Sequence, residues 1–186
     1  MEPCFPRLLR DFFVRDVLEV APSLLGKTLV RKFDDGSIGR FAITEIEAYR
    51  GDGDLACHAS RGKTARNEVM FREGGLVYVY FIYGMYWMLN FVTGEAGDAS
   101  AVLIRGLDEI EAPRVRAGEE SASVKNFSSV LFACPAAEPT GNALTGIHGP
   151  GKIGKILQLD RSFYGENLSD SQRIWIEDSP EQSAFA

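Results

Sequence analysis

Two glutamates with one residue between them, Glu45 and Glu47, lead into Tyr49 and then into a stretch broken by Gly51 and Gly53. In an extended strand alternate residues share a face, so Ile43, Glu45 and Glu47 fall together, with Thr44, Ile46 and Ala48 opposite. A carboxylate near a strand end, partly buried and with a raised pKa, can serve as a general base on water. The commoner role for such a residue is a salt-bridged surface acid, and Glu45 is the rival base by the same logic. The second chemically suggestive stretch is Leu76 to Asn90, which carries Tyr78, Tyr80, Tyr83, Tyr86 and Trp87. Tyr49, His58, Tyr80 and Tyr83 offer ring faces to a flat ligand, and such faces also attract cations. Asn90 has an amide that can read the edge of a heterocycle, although a solvent-facing Asn at a strand end is the ordinary case. Arg66 and Arg105 can hold phosphates or orient a carboxylate; each can equally be a plain surface charge.

These side chains need elements to carry them. β-Branched and aromatic residues run up to Gly84 and resume after it, so Tyr83-Gly84-Met85 is expected as the turn between two strands. Tyr78, Phe81 and Trp87 are expected to fill the core. Tyr83 and Met85 flank a glycine with no reason to bury, which suggests a projecting apolar wedge of the kind that enters between stacked bases. Upstream, the apolar spacing in Phe5 to Leu25 predicts two short amphipathic helices, with Asp11 or Asp16 as caps and Pro22 interrupting. Lys27–Phe33 and Ile38–Ala48 read as strands joined at Asp35-Gly36. Gly51 to Gly75 reads as loop with helical turns near Leu55–Ala59 and Asn67–Phe71. Gly94–Asp98 is expected as a turn, Ala101–Leu107 as a strand, Asp108–Ala117 as a helix, and Gly118–Gly151 as long loops around a short helix. Gly149-Pro150-Gly151-Lys152 reads as a helix start and a possible anion seat. Arg173–Glu177 closes as a strand.

A chain of 186 residues with 45% hydrophobic and 25% charged residues is expected to form one globular domain, with flexible termini. Met1–Arg10 lacks an apolar leader segment and no window reaches the length of a membrane span, so a cytoplasmic, nucleoid-associated location is expected, with no membrane partner. Cys4, Cys57 and Cys134 are scattered and match neither a disulfide framework nor a zinc spacing, and two histidines are too few for a multi-histidine metal site. The net charge of −6 opposes binding to a polyanion if spread evenly, but it is not: Arg61, Lys63, Arg66 and Arg72 gather in one segment, and acids gather after Asp160.

Taken together, Thr44-Glu45-Ile46-Glu47-Ala48-Tyr49, His58, Thr64-Ala65-Arg66-Asn67 with Met70-Phe71, Tyr78-Val79-Tyr80-Phe81-Ile82-Tyr83-Gly84-Met85-Tyr86 with Asn90, and Ala101-Val102-Leu103-Ile104-Arg105 resemble the alkyladenine (3-methyladenine) DNA glycosylase family. The resemblance runs in order from about Leu24 to Leu159. It implies a single-domain α+β fold around a curved, mostly antiparallel, open barrel-like sheet with peripheral helices. It also implies a monofunctional, monomeric enzyme, without metal or organic cofactor, that removes damaged purines from double-stranded DNA. By position, Glu47 falls where the family has its catalytic base and Arg105 where an arginine helps hold the attacking water. Tyr83, with Met85, falls where the duplex is entered; Tyr49, His58 and Tyr80 match residues around the flipped base, and Asn90 one that disfavours guanine. Arg66 and Lys152, the latter in a GPGKL-type segment, are expected at the DNA backbone. Two other classes compete: a non-catalytic nucleic-acid-binding module using the aromatics as a stacking platform, and a small-molecule hydrolase with a nucleoside pocket.

Overall fold

The computed structural model describes residues 5–51, 53–111 and 146–178. Two short helices come first, α1 (Arg10–Phe13) and α2 (Val17–Leu24). Asp16 caps α2 by accepting a hydrogen bond from Leu18 N at 2.9 Å, which satisfies one of the free amides of the first turn. Pro22 does not interrupt this helix as expected. It sits within the last turn, where the ring costs little because the helix ends two residues later, and buried Val17, Val20, Ala21 and Leu24 hold the element to the core.

The strands are β1 (Thr28–Lys32), β2 (Ile38–Tyr49), β3 (Val77–Ile82), β4 (Tyr86–Thr93), β5 (Ser100–Glu111), β6 (Gly146–His148) and β7 (Ile174–Glu177). Neighbours pair antiparallel in the order β3-β4-β5-β2-β1-β7, with β6 added to β5. The sheet curls into a half-barrel, giving the mixed α+β architecture expected from the sequence. One correction concerns Asp108–Ala117. The acids and alanines there favour helix, yet β5 continues to Glu111, because Asp108 and Glu109 pair with Ala42 and Phe41 and sheet pairing outweighs local propensity. Residues 112–117, and the loops expected over 118–145, lie outside the described residues.

The two faces of the sheet do different work. On one face Val77, Val79, Leu89, Phe91, Val102 and Ile104 join α1 and α2 in the larger core. On the other, Tyr78, Val92 and Ala101 meet Cys57, Val69 and Met70 from the loop that crosses between β2 and β3. Phe81 departs from its expected core role and is 45% exposed. Among the described residues the next α-helix, α3 (Pro150–Ile156), lies flat on β4. A Cβ on Gly154 would come within 2.0 Å of the Trp87 carbonyl oxygen, and one on Gly151 within 2.8 Å of the Tyr86 ring, so the Gly-x-x-Gly spacing sets that close approach.

Candidate active site

The site begins with an irregularity in β2. Its register against β5 shifts between Ile43 and Glu45 and again between Glu45 and Ile46. Ile43 is in the core and Ile46 packs against it, so the expected sharing of one face by Ile43, Glu45 and Glu47 does not hold. A bulge turns the two glutamates away from the core face, as an extra residue in one strand does. Gly106 stands opposite Glu45, where a Cβ would come within 2.7 Å of the Glu45 Cβ and 2.9 Å of Thr44 Oγ1. A side chain at 106 would collide with the bulge.

Arg105, beside that glycine, gathers the carboxylates. Its Nε donates to Glu45 Oε1 and its terminal Nη1 to Glu47 Oε2, both at 3.2 Å. The hydrogen bond to Glu45 and the charge of Glu47 raise the Arg105 pKa further above its ordinary value. Tyr49 donates its hydroxyl hydrogen to the same Glu47 Oε2 at 2.6 Å. Burial, followed by this bond to Glu47, holds the Tyr49 phenol well above the usual tyrosine range, so it stays a donor. The Glu47 side chain is 45% exposed and paired with Arg105, which matches the salt-bridged surface acid rather than the partly buried carboxylate of the two alternatives. Tyr49 and Arg105 thus converge on Oε2, which leaves Oε1 turned to no protein donor among the described residues. His148 Nδ1 lies 3.9 Å from Glu45 Oε2 at the outer edge of the cluster.

Tyr49 also lines a small cleft together with Ala56, His58, Met70, Tyr78, Tyr80, Asn90 and Ala101. His58 sits at the mouth, its Nδ1 2.9 Å from the Tyr78 hydroxyl and its ring 4.5 Å from that of Tyr80 at 72°. Desolvation of the inward edge, helped by Arg66, lowers the His58 pKa and favours the neutral ring, while burial raises that of Tyr78. Asn90 corrects a second expectation. It is not at a strand end but within β4, 3% exposed, and its amide nitrogen donates to Tyr78 O at 3.1 Å.

The loop carrying His58 is locked by Asn67, which the sequence alone did not single out for this. Its Oδ1 accepts from Thr64 N at 2.6 Å and Thr64 Oγ1 at 3.0 Å, and its Nδ2 donates to His58 O at 2.9 Å and Gly62 O at 3.0 Å. With 2% exposure, this amide is the buried hub of the loop. The signal in the sequence was the Asx-type residue itself, which bonds nearby backbone. Arg66 lies over the Tyr80 ring at 5.3 Å.

Tyr83 and Met85 stand at the β3–β4 turn, 80% and 55% exposed. Met85 N donates to Ile82 O at 3.2 Å, and both Tyr83 (φ +54°) and Gly84 (φ +66°) are left-handed. The structure thus brings Glu47, Tyr49, Arg105, His58, Tyr80 and Asn90 into one concave face, with Arg66 over Tyr80 and the Tyr83–Met85 turn closing the hairpin that supplies Tyr80. Lys152 stands apart on α3, exposed. Lys155 on the same helix instead lies over the Tyr86 ring at 4.6 Å. Among the described residues no group of His, Cys, Asp and Glu is arranged to hold a metal ion.

A half-barrel sheet presenting a carboxylate–arginine–tyrosine cluster beside an aromatic cleft defines the class, and comparison with known proteins gives the family. The model of methylpurine-DNA glycosylase matches residues 11–186. A protein of Methanocella arvoryzae is 41% identical over 175 residues, covering 94% of this chain and 78% of the relative. One of Prosthecochloris aestuarii is 42% identical over 165 residues, 89% of this chain and 71% of the relative. One of Legionella pneumophila is 54% identical over 108 residues, 56% of this chain and 57% of the relative. All three are named "Putative 3-methyladenine DNA glycosylase". The chain belongs to the methylpurine-DNA glycosylase family, and is a DNA glycosylase of that type whose substrate is DNA.

Proposed function

We propose that this chain is a monofunctional, monomeric, single-domain glycosylase that draws a damaged purine out of duplex DNA and hydrolyses its bond to deoxyribose with a water activated by Glu47. The observation that carries the reading is the convergence of Tyr49 and Arg105 on one oxygen of Glu47 at the rim of a cleft walled by Tyr49, His58 and Tyr80. A base inside the helix is out of reach, so it must be extruded, at a cost of a few kcal/mol that is smaller for a damaged or mispaired base. Tyr83, with Met85 beside it, would fill the vacated space and offset part of that cost. Tyr49 and Tyr80 would face the extruded base, and a purine alkylated on N3 or N7 carries positive charge that tyrosine faces attract. Neutral lesions such as hypoxanthine and ethenoadenine lack that attraction and need a proton before they leave. A neutral His58 ring beside the cleft, and the Asn90 amide within it, would sort the extruded base by its edge.

In the chemical step the C1′–N bond breaks, its electron pair leaves with the purine, and the sugar becomes oxocarbenium-like. Water held between Glu47 Oε1 and the Arg105 side attacks C1′ and gives its proton to the carboxylate. Glu45 would contribute by holding the far edge of the same guanidinium. Arg66 and Lys152 would contact the DNA backbone, and a DNA substrate would keep the enzyme at the nucleoid.

Incubation with duplexes carrying 3-methyladenine, hypoxanthine or ethenoadenine, followed by alkaline cleavage of abasic sites, tests the reading. Glu47→Gln should slow single-turnover excision on the order of 10²–10⁴-fold while leaving affinity for the lesion duplex intact. Undiminished excision by that variant removes Glu47 from the chemistry. Absence of excision by the unaltered protein, with DNA binding kept, favours the stacking-module alternative.

A further inference from the structure

Strand β6 ends on a histidine beside the carboxylate–arginine cluster. Gly146, Ile147 and His148 lie along Asp108, Leu107 and Gly106 of β5, and the next amide, Gly149 N, donates to Arg105 O at 2.8 Å. His148 is thereby held next to the glycine that faces the β2 bulge. Its ring is seated against the backbone: a Cβ on Gly146 would come within 2.5 Å of His148 Nε2 and 3.3 Å of Asp108 Oδ1, so only glycine leaves room there. His148 Nδ1 lies 3.9 Å from Glu45 Oε2, while the other oxygen of that carboxylate accepts from Arg105 Nε at 3.2 Å. At 3.9 Å there is no hydrogen bond, and only the protonated ring gains an ion pair by closing the gap. The side chains then form a line of alternating charge: His148, Glu45, Arg105, Glu47. Other charged groups approach His148 from the elements packed on it. β5 presents Asp108 and, beyond Glu45, Arg105; α3, which starts directly after it, carries Lys152, exposed, and Lys155, turned to Tyr86.

We propose that His148 is a positioning residue for excision: when protonated it draws Glu45 toward itself, loosens the hold of Glu45 on Arg105, and gives more of the guanidinium to Glu47. The proposal rests on the reading of Glu47 as the base. A carboxylate held harder by an arginine is a weaker base. The charged form of His148 therefore slows the attack of water on C1′, and the neutral form speeds it. Histidine is the side chain whose charge changes around neutral pH, so excision should fall as pH falls through that range. The His148 side chain is 68% exposed, and water and salt screen its pull, which makes the effect a modest one.

Single-turnover excision of 7-methylguanine from duplex DNA, at saturating protein and from about pH 5.5 to 8.5, tests this. That purine already carries its positive charge and needs no proton to leave, so the profile reports groups on the protein. For the unaltered protein the rate should rise roughly two- to fourfold across the range, and added KCl should shrink the step. His148→Gln should level the step. His148→Lys, a cation throughout, should hold the lower rate at every pH, and Glu45→Gln should remove the step with His148 still present. Persistence of the step in His148→Gln overturns the proposal, as does a His148→Lys profile that follows the unaltered protein. A step that survives Glu45→Gln but is lost in Asp108→Asn does the same, by making Asp108 the partner. So does a His148→Gln protein whose DNA affinity and salt slope change while its saturated profile does not, since His148 would then hold a phosphate. Failure of the base reading looks different: Glu47→Gln would excise at full rate, whatever the His148 variants do.

Discussion

Two hairpin turns in this protein reverse the chain by opposite means. Between β1 and β2, Asp35 accepts from Ser37 N at 2.9 Å and from the Ser37 hydroxyl at 2.6 Å, Gly36 N donates to Phe33 O at 2.9 Å, and the left-handed φ of +81° falls on Gly36. Every local demand is met by a residue suited to it. Between β3 and β4, Tyr83 itself takes φ +54° ahead of Gly84, and two apolar side chains face water. A side chain with a Cβ in that region costs about 1–2 kcal/mol, and no side-chain hydrogen bond within the turn offsets it among the described residues. A turn that only had to turn would carry Asn or Gly at 83. The tyrosine is therefore best understood through what it meets outside the fold.

Three substitutions sharpen or break this contrast. The largest effect is expected for Tyr83→Gly, which removes the ring and the strain together. Single-turnover excision should fall on the order of 10²-fold, since a few kcal/mol of flipping cost go uncompensated, and the rise in 2-aminopurine fluorescence on binding should shrink. In urea the same variant should be as stable as the parent or more so; a clear loss of stability together with normal flipping would make the second turn as structural as the first. Gly36→Ala is the mirror image. No atom lies within 4 Å of a Cβ placed there, so the cost is conformational alone, about 1 kcal/mol, and excision at a temperature where both proteins are folded should not change. Asp35→Ala should cost less, roughly 0.5–1.5 kcal/mol for its hydrogen bonds to Ser37, read as a shift in the urea midpoint. Any effect of either β1–β2 variant on flipping would erase the distinction.

The strands were legible because their signals are local. β-Branched and aromatic runs, the Asp35-Gly36 pair and the glycine at 84 each specify strand or turn through dihedral preference and side-chain alternation, and the structure follows them closely. Where the sequence misled, a distant partner decided. Asp108–Glu111 has helical composition, yet it lies along β2. Phe81 has core chemistry, but β3 is an edge, so the ring comes out half-exposed. The alternation that placed Ile43 with the two glutamates fails because a bulge shifts the register, and nothing near Glu45 in the sequence announces the glycine opposite it.

The residue types of the cleft, its order along the chain and the likeness to DNA glycosylases were fixed by the sequence alone, because ring faces, carboxylates and turn glycines carry their chemistry with them. The assembly was decided only in three dimensions. Arg105 reaches Glu45 and Glu47 from 60 and 58 residues away, Tyr49 closes on the same oxygen, and Asn67 ties down the loop that brings His58 over Tyr80. Local preference sets the shape of each segment, but which side chains meet depends on how the sheet curls and where its register slips, and those follow from packing between segments far apart in the chain.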